Sequence, residues 1–311
     1  MNSKSIWRRK HLKSWPFIVQ LLCLGAAVVS ATGYTTEATT QATTEATTQA
    51  AAEATITWAI NPGPPFHILS GPLAGQGFCD GLVDSLTILM PNYQHKKVVV
   101  PQGRVLALLG ATDSQMCFPC MIKRQDPPKG VRFTESTHQF PRHVLITRAS
   151  LMHSSKPLEL STLLASAKYR YGYPQGRRYG ALDPLLEAYK TEYPDLVLAR
   201  SGPGEADSIL SLIEIGRIDF TVDYPMVLKY HQLVSQTDGS VPLKMLPILE
   251  NADNHPQHAV GCADNSWGLQ VVTNINQVIP ALHQSPRFRQ AKQFWLDEQQ
   301  AKLLKAKATQ P

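Results

Sequence analysis

Acidic residues are missing altogether from the first 31 positions of this 311-residue chain, which carry Lys4, Arg8, Arg9, Lys10 and Lys13. Charge of either sign is sparse throughout, with Asp, Glu, Lys and Arg making up 17% of the sequence. The net charge of +6, from 30 bases and 24 acids, is therefore mostly a property of the N-terminus, and the remainder holds 25 bases against 24 acids. A nucleic-acid footprint needs a basic face that this remainder does not supply, so nucleic acid is not an expected partner. No G-x-S-x-G, Walker-type loop or Ser/His/Asp order stands out, and a second C-x-x-C is absent. With 43% apolar residues the chain can bury a real core, and its length allows one large or two medium domains.

Behind the basic segment runs Phe17 to Ala31 (FIVQLLCLGAAVVSA), ending in Val29-Ser30-Ala31, small residues where a signal peptidase reads. This three-part pattern predicts a signal peptide over residues 1–31 and a periplasmic protein. The alternative is an uncleaved inner-membrane anchor facing the periplasm, since the run extends to Tyr34, and only then is the membrane a partner. Gln20 and the small residues favour cleavage. Thr35 to Ala50 reads TTEATTQATTEATTQA. Such a tract has too little apolar surface to offset its chain entropy, so residues 32–55 form a flexible linker spanning roughly 25–30 Å.

From Ile56 onward strands and helices alternate. Ile56, Trp58 and Ile60 alternate as in a strand, and Asn61-Pro62-Gly63-Pro64-Pro65 breaks it. Leu82, Val83, Leu86 and Leu89 give a helical stripe that ends before Pro91. Strands follow at Lys97–Val100, Gln115–Phe118 and His143–Thr147, with a short helix at Val105–Leu109. A second series has a strand at Tyr169–Gly172, amphipathic helices at Pro184–Tyr193 and Ala206–Ile215, and a strand at Ile218–Val222. Further strands are expected near Leu243–Leu249 and Ala259–Cys262, then helix over Ile275–Leu304. The alternation predicts an α/β class with two lobes, each a mixed, mainly parallel sheet flanked by helices. The first lobe takes 56–148, the second 149–242, and 243–311 returns to the first and adds C-terminal helices. A cleft between such lobes is the usual home of a small ligand.

A series of motifs then runs along residues 55–302: the Pro-Pro-Phe loop ending at Phe66, a G-x-G-x-x-D turn (Gly75, Gly77, Asp80), Cys117 with Lys123, Phe133-Thr134, the G-R-I-D step Gly216–Asp219, and C-x-x-x-x-W-G (Cys262, Trp267, Gly268). In order and spacing the series resembles the type 2 periplasmic solute-binding proteins of the broad family-3 group, in a poorly characterised branch. The resemblance implies a hinged, monomeric, non-catalytic binder that needs no cofactor and closes around a small-molecule solute. Its partner would be an inner-membrane permease or a sensor. Amino-acid binders of the group carry an Arg for the ligand carboxylate where this chain has Pro127, and an Asp for the ligand ammonium where it has Tyr224. Both departures argue against a free α-amino acid, although Arg124 and Asp223 lie close by.

The ligand site is therefore expected among Phe66, Gly77, Arg124, Gly176, Arg177, Arg178, Asp223, Tyr224 and Trp267, with Tyr173 and Tyr179 as further aromatic candidates. Asp253, His255 and His258 lie in a Pro-containing stretch that reads as a surface loop, so no metal site is expected. Cys79, Cys117, Cys120 and Cys262 remain after a signal is removed, and four cysteines allow three pairings. The type 2 sheet order sets the third strand beside the returning one, which implies Cys117 with Cys262 and leaves Cys79 with Cys120. Two alternatives to a binder remain: a hydrolyase-like enzyme using Glu135, His138, Asp219 or Asp223, and a thiol-redox or surface protein using the Cys117–Cys120 pair.

Overall fold

The computed structural model describes residues 54–152, 156–235, 241–252 and 255–296. The expected signal and nearly all of the linker, together with Asp253, lie outside the described residues. Among those described, no helix is long and apolar enough to cross a membrane.

The first sheet begins with β1 (Thr55–Ile60), β2 (Gln94–Val99) and β3 (Met116–Ile122), and closes with β4 (Val131–Phe133), β5 (His138–Gln139) and β11 (Gln257–Ala263). Its order is β2-β1-β3-β11-β4, with β5 also on β11. β1 is parallel to β2 and β3, whereas β11 runs antiparallel to β3, β4 and β5. The period of two on β1 sends Ile56, Trp58 and Ile60 to one face and Ala59 to the other. The first face is covered by α1 (Phe78–Leu89), α7 (Ser266–Gln284) and α8 (Pro286–Leu296), which bury Phe78, Leu82, Leu86, Val271, Ile275 and Phe288 against it. Each such side chain contributes about 1.5–3 kcal/mol by leaving water. α1 and α8 meet closely because residue 81 is glycine: a Cβ there would stand 2.6 Å from that of Ala291. The opposite face holds α2 (Val105–Leu109) through Val105 and Leu109.

The second sheet has the order β10-β6-β9-β7-β8, formed by β6 (Val144–Arg148), β7 (Tyr171–Pro174), β8 (Val197–Arg200), β9 (Phe220–Asp223) and β10 (Leu243–Pro247). β7 is parallel to β8 and β9; β6 is antiparallel to β9 and β10. α3 (Leu160–Ala165), α4 (Asp183–Glu192), α5 (Glu205–Glu214) and α6 (Pro225–Val234) flank it. Both sheets are thus mixed but not mainly parallel as expected: parallel pairing is confined to β2-β1-β3 and β8-β7-β9, because β11 and β6 enter antiparallel where the chain passes between the lobes.

Two boundaries differ from those expected of the sequence. The first lobe was expected to end at 148 and to resume at 243, yet β6 and β10 pair with each other in the second sheet, so the chain crosses between the lobes at about 140–143 and again at 248–256. The two antiparallel strands look like any half-buried strand in sequence, and only their pairing reveals their lobe. The expected continuous helix from Ile275 is two helices, broken at Ser285, whose extended ψ of 126° suits a residue before proline. Residues 297–304 of that expected helix lie outside the described residues.

The disulfides are Cys117–Cys262 and Cys79–Cys120, the pairing the resemblance implied. Cys117 and Cys262 are direct partners in the β3–β11 register; the other bridge ties α1 to β3. The C-x-x-C of the redox alternative therefore does not pair internally. Sequence separations of 145 and 41 residues lead us to expect that serine pairs replacing Cys117–Cys262 and Cys79–Cys120 lower unfolding stability by about 5 and about 4 kcal/mol respectively. Urea unfolding of the two variants checks this, and the reverse order would refute the chain-entropy account.

Candidate functional site

A cavity of about 370 Å³ lies between the lobes. From the first lobe Asn61, Phe66, Gln102, Arg124 and Phe140 line it, and from the second Gly176, Arg177, Arg178 and Tyr224. Phe66 is held there by the G-x-G-x-x-D turn. Asp80 accepts from the backbone N–H of Ile68 and of Gly77, both at 3.0 Å, and its other oxygen is 2.7 Å from Nδ1 of buried His67. Burial acts to raise the Asp80 carboxyl, but the His67 bond and the two N–H groups bring it below its ordinary value.

The second-lobe wall is the turn after β7. Gly176 has φ +81°, a left-handed conformation that favours glycine, and a Cβ there would lie 3.2 Å from the Cα of Gly103 in the first lobe. The lobes touch at this point and again where the Gly204 N–H donates to the Pro62 carbonyl at 3.2 Å. Arg177 follows. Its guanidinium lies 4.9 Å from the centroid of the Phe66 ring and 3.3 Å from Oδ2 of Asp223 at the end of β9. Asp223 has only 2% of its side chain exposed, and burial raises its carboxyl pKa while Arg177 and the Tyr224 N–H draw it back. Arg177 is raised: burial opposes its charge most, but Asp223 together with Tyr179, Glu205 and Tyr224 outweighs it. Arg124 and Arg178 share the carboxylate of Asp183, at 3.6 and 3.4 Å, so Arg124 reaches across the cleft.

Beneath the cavity sits an aromatic and histidine cluster where the chain crosses between lobes. Tyr224 packs on Phe140 with centroids 5.0 Å apart, and Phe140 on His258 at 4.4 Å. Nδ1 of His258 lies 2.9 Å from the Pro256 carbonyl, which can only accept, so Nδ1 carries the proton. Nε2 is then an acceptor, and the Tyr224 hydroxyl donates to it at 3.0 Å. Burial lowers His258 from 6.5 to about 3. His143 also falls to about 3, through burial and then the charge of Arg177.

Of the residues expected at the site, the structure assembles Phe66, Arg124, Gly176, Arg177, Arg178 and Tyr224 around the cavity, with Asp223 behind Arg177. Gly77 and Trp267 are not in the wall. Gly77 caps α1, and a Cβ there would stand 2.3 Å from the Phe66 carbonyl oxygen, so its role is to let the turn close. Trp267 is the second residue of α7 and packs half-buried against the first lobe's core. Tyr173 carries Lys190 Nζ 3.8 Å from its ring centroid and is outside the wall, and Tyr179 is buried beneath it. Of the acid–base candidates, Asp219 is clamped by Arg148 at 2.9 Å and Arg170 at 3.1 Å, exposed Glu135 pairs with Lys123 at 3.0 Å, and His138 is buried against Phe78 and His258. The expected surface loop at 255–258 ends differently: His258 belongs to β11 and is 1% exposed. Running the alternation of Val260 and Cys262 one step back to His258 would have found it. Phe140 carried no such signal. Among the described residues no cluster of His, Cys, Asp and Glu is arranged to hold a metal ion.

No protein-family model matches the chain, and no curated protein sequence does either. Solved structures match its shape. A structure from work on glutathione import via GshT and the cystine ABC importer TcyBC of Streptococcus mutans is similar at TM-score 0.59 and 13% identity, over 79% of this chain and 95% of that one. A putative L-cystine ABC transporter protein from Listeria monocytogenes gives 0.58 and 16%, over 78% and 96%. A histidine kinase sensor domain with similarity to periplasmic binding proteins gives 0.56 and 13%, over 78% and 96%. The fold is that of the type 2 periplasmic solute-binding proteins.

Two outcomes test the site's electrostatics. Arg177→Met or Asp223→Leu alone is expected to cost about 3–5 kcal/mol, since each strands a buried charge, whereas the double variant should lose less than the two single losses added together; a strictly additive double variant would sink the pairing. His143 and His258 have folded pKa values below the 6.5 of the free group, so between about 3 and 6.5 the unfolded chain binds more protons. Their contribution to stability is therefore lost as pH falls through that window, and their NMR ring signals should stay in the neutral form at pH ~5.

Proposed function

We propose that the chain is an exported solute-binding protein that captures a small polar or anionic solute in the interlobe cavity. The carrying observation is the charge of the wall: Arg124, Arg177 and Arg178 line the cavity, and among the described residues no carboxylate does. Asp183 and Asp223 pair with them from behind the wall, and Glu205 also acts on Arg177, so the guanidinium groups are the charges that face the cavity itself. Phe66, Phe140 and Tyr224 add apolar and aromatic surface, so the wall suits an anion with an apolar portion. The touching glycines and the cross-cleft ion pair are contacts of a closed state, and two chain crossings joined by the Asn251 to His143 hydrogen bond (2.9 Å) provide the hinge.

Free α-amino acids stay among the candidate ligands. Pro127 and Tyr224 hold the positions that argue against them, but Arg124 and Arg177 both reach the cavity and either suits a carboxylate. A non-catalytic role is favoured because, of the four acid–base candidates named from the sequence, Asp223 is the one beside the cavity and it is engaged by Arg177. Export rests on the N-terminal sequence, and a permease or a membrane sensor would receive the loaded protein.

A thermal-shift screen decides this. A bound anion at a hundred times its Kd should add about 2.7 kcal/mol and raise Tm by roughly 5–10 °C. Arg124→Gln should reduce that shift while the ligand-free Tm stays close to that of the parent. A broad library in which no anion raises Tm would reject the reading, and turnover of a bound solute would replace it with an enzyme.

A further inference from the structure

One of the two disulfides belongs to the cavity wall. Cys79 and Cys120 both line the cavity, whereas Cys117 and Cys262 are fully buried and only the former pair meets the ligand space. The pair is also asymmetric: Cys120 is half-buried and Cys79 has no exposed surface, so an incoming group reaches Cys120 and Cys79 is the leaving side. Cys79 is the second residue of the 12-residue helix α1, where the positive end of the helix stabilises a thiolate. The adjacent Asp80 carboxylate is engaged by His67 and two backbone N–H groups. Arg124, Arg177 and Arg178 stand in the same wall, where they concentrate an anion and favour the thiolate form of any thiol it carries.

We propose that the Cys79–Cys120 disulfide is an exchange site for a small thiol-bearing anion held in the cavity. This rests on the anion-binding reading above and adds a covalent step to it. The ligand thiolate attacks the Cys120 sulfur, forming a ligand–Cys120 disulfide as the Cys79–Cys120 bond breaks. The electron pair leaves on Cys79, whose thiolate takes up a proton. A thiol and a disulfide give a mixed disulfide and a thiol, so no outside oxidant or reductant enters. The ligand stays bonded to β3 until Cys79 attacks Cys120 and releases it, and in the meantime α1 is no longer tied to the wall.

The test uses the oxidised, folded chain with 3-mercaptopropionate, 2-mercaptoethanol and cysteamine at equal thiolate concentration. After an acid quench, free thiols are alkylated and peptides mapped by mass spectrometry. The expected product carries the adduct on Cys120 and the alkyl group on Cys79, with Cys117–Cys262 intact. It should form about tenfold faster with 3-mercaptopropionate than with cysteamine, and that preference should shrink in Arg124→Gln and on adding propionate. No adduct, an adduct on Cys117 or Cys262, or equal rates for the three thiols would overturn the proposal. Propionate's own effect on Tm separates the two layers. A Tm rise without any adduct removes the exchange alone; no Tm rise together with charge-blind rates removes the anion site as well.

Discussion

The cleft depends on the buried pair of Arg177 and Asp223. A carboxylate with 2% of its side chain exposed is costly to hold at the end of a strand, and the guanidinium 3.3 Å away makes it tolerable. Arg177 reaches it only because the preceding Gly176 takes a left-handed turn and brings the chain against the first lobe. Its outer face is then free to lie against Phe66, so one side chain neutralises a buried charge, forms the cavity wall and touches the opposite lobe. A lysine could meet the charge but not the planar contact with the ring.

The crossing region shows a different balance. His138, His143 and His258 are buried with Phe140 and Tyr224, and burial keeps all three neutral. They act there as polarisable, hydrogen-bonding aromatics, with the His258 tautomer fixed by Pro256 and read out by Tyr224. His231 behaves in the opposite way: burial would lower it, but Asp207 at 2.6 Å and Glu214 at 3.1 Å raise it. Its contribution, present below the unfolded value, is lost as pH rises through the raised one.

Local patterns in the sequence were enough for β1, α1 and the amphipathic helices of the second lobe, because a period of two or of 3.6 is written in neighbouring residues. The assignment of β6 and β10 to a lobe was not legible, since it depends on pairing between residues about a hundred positions apart. The same division runs through the site. Arg177 and Arg178 could be picked out from a Gly-rich turn after a strand, whereas His258 and Phe140 become site residues only when the crossings bring them under the cleft. Gly77 and Trp267 were misplaced for the converse reason: each sits in a motif of the resemblance, but the motif there serves the turn before α1 and the packing of α7.

The Cys117–Cys262 bridge joins β3 to β11 within the first lobe, and the whole second lobe, together with β4 and β5, lies in the loop it closes. Topologically the second lobe is an insert in a first lobe that is cross-linked to itself on either side of the insertion. A single cut anywhere in that insert leaves one covalent molecule, so the first lobe keeps all its strands in register even when the second is opened. A cut in the inserted lobe therefore sheds no fragment while the bridge is intact.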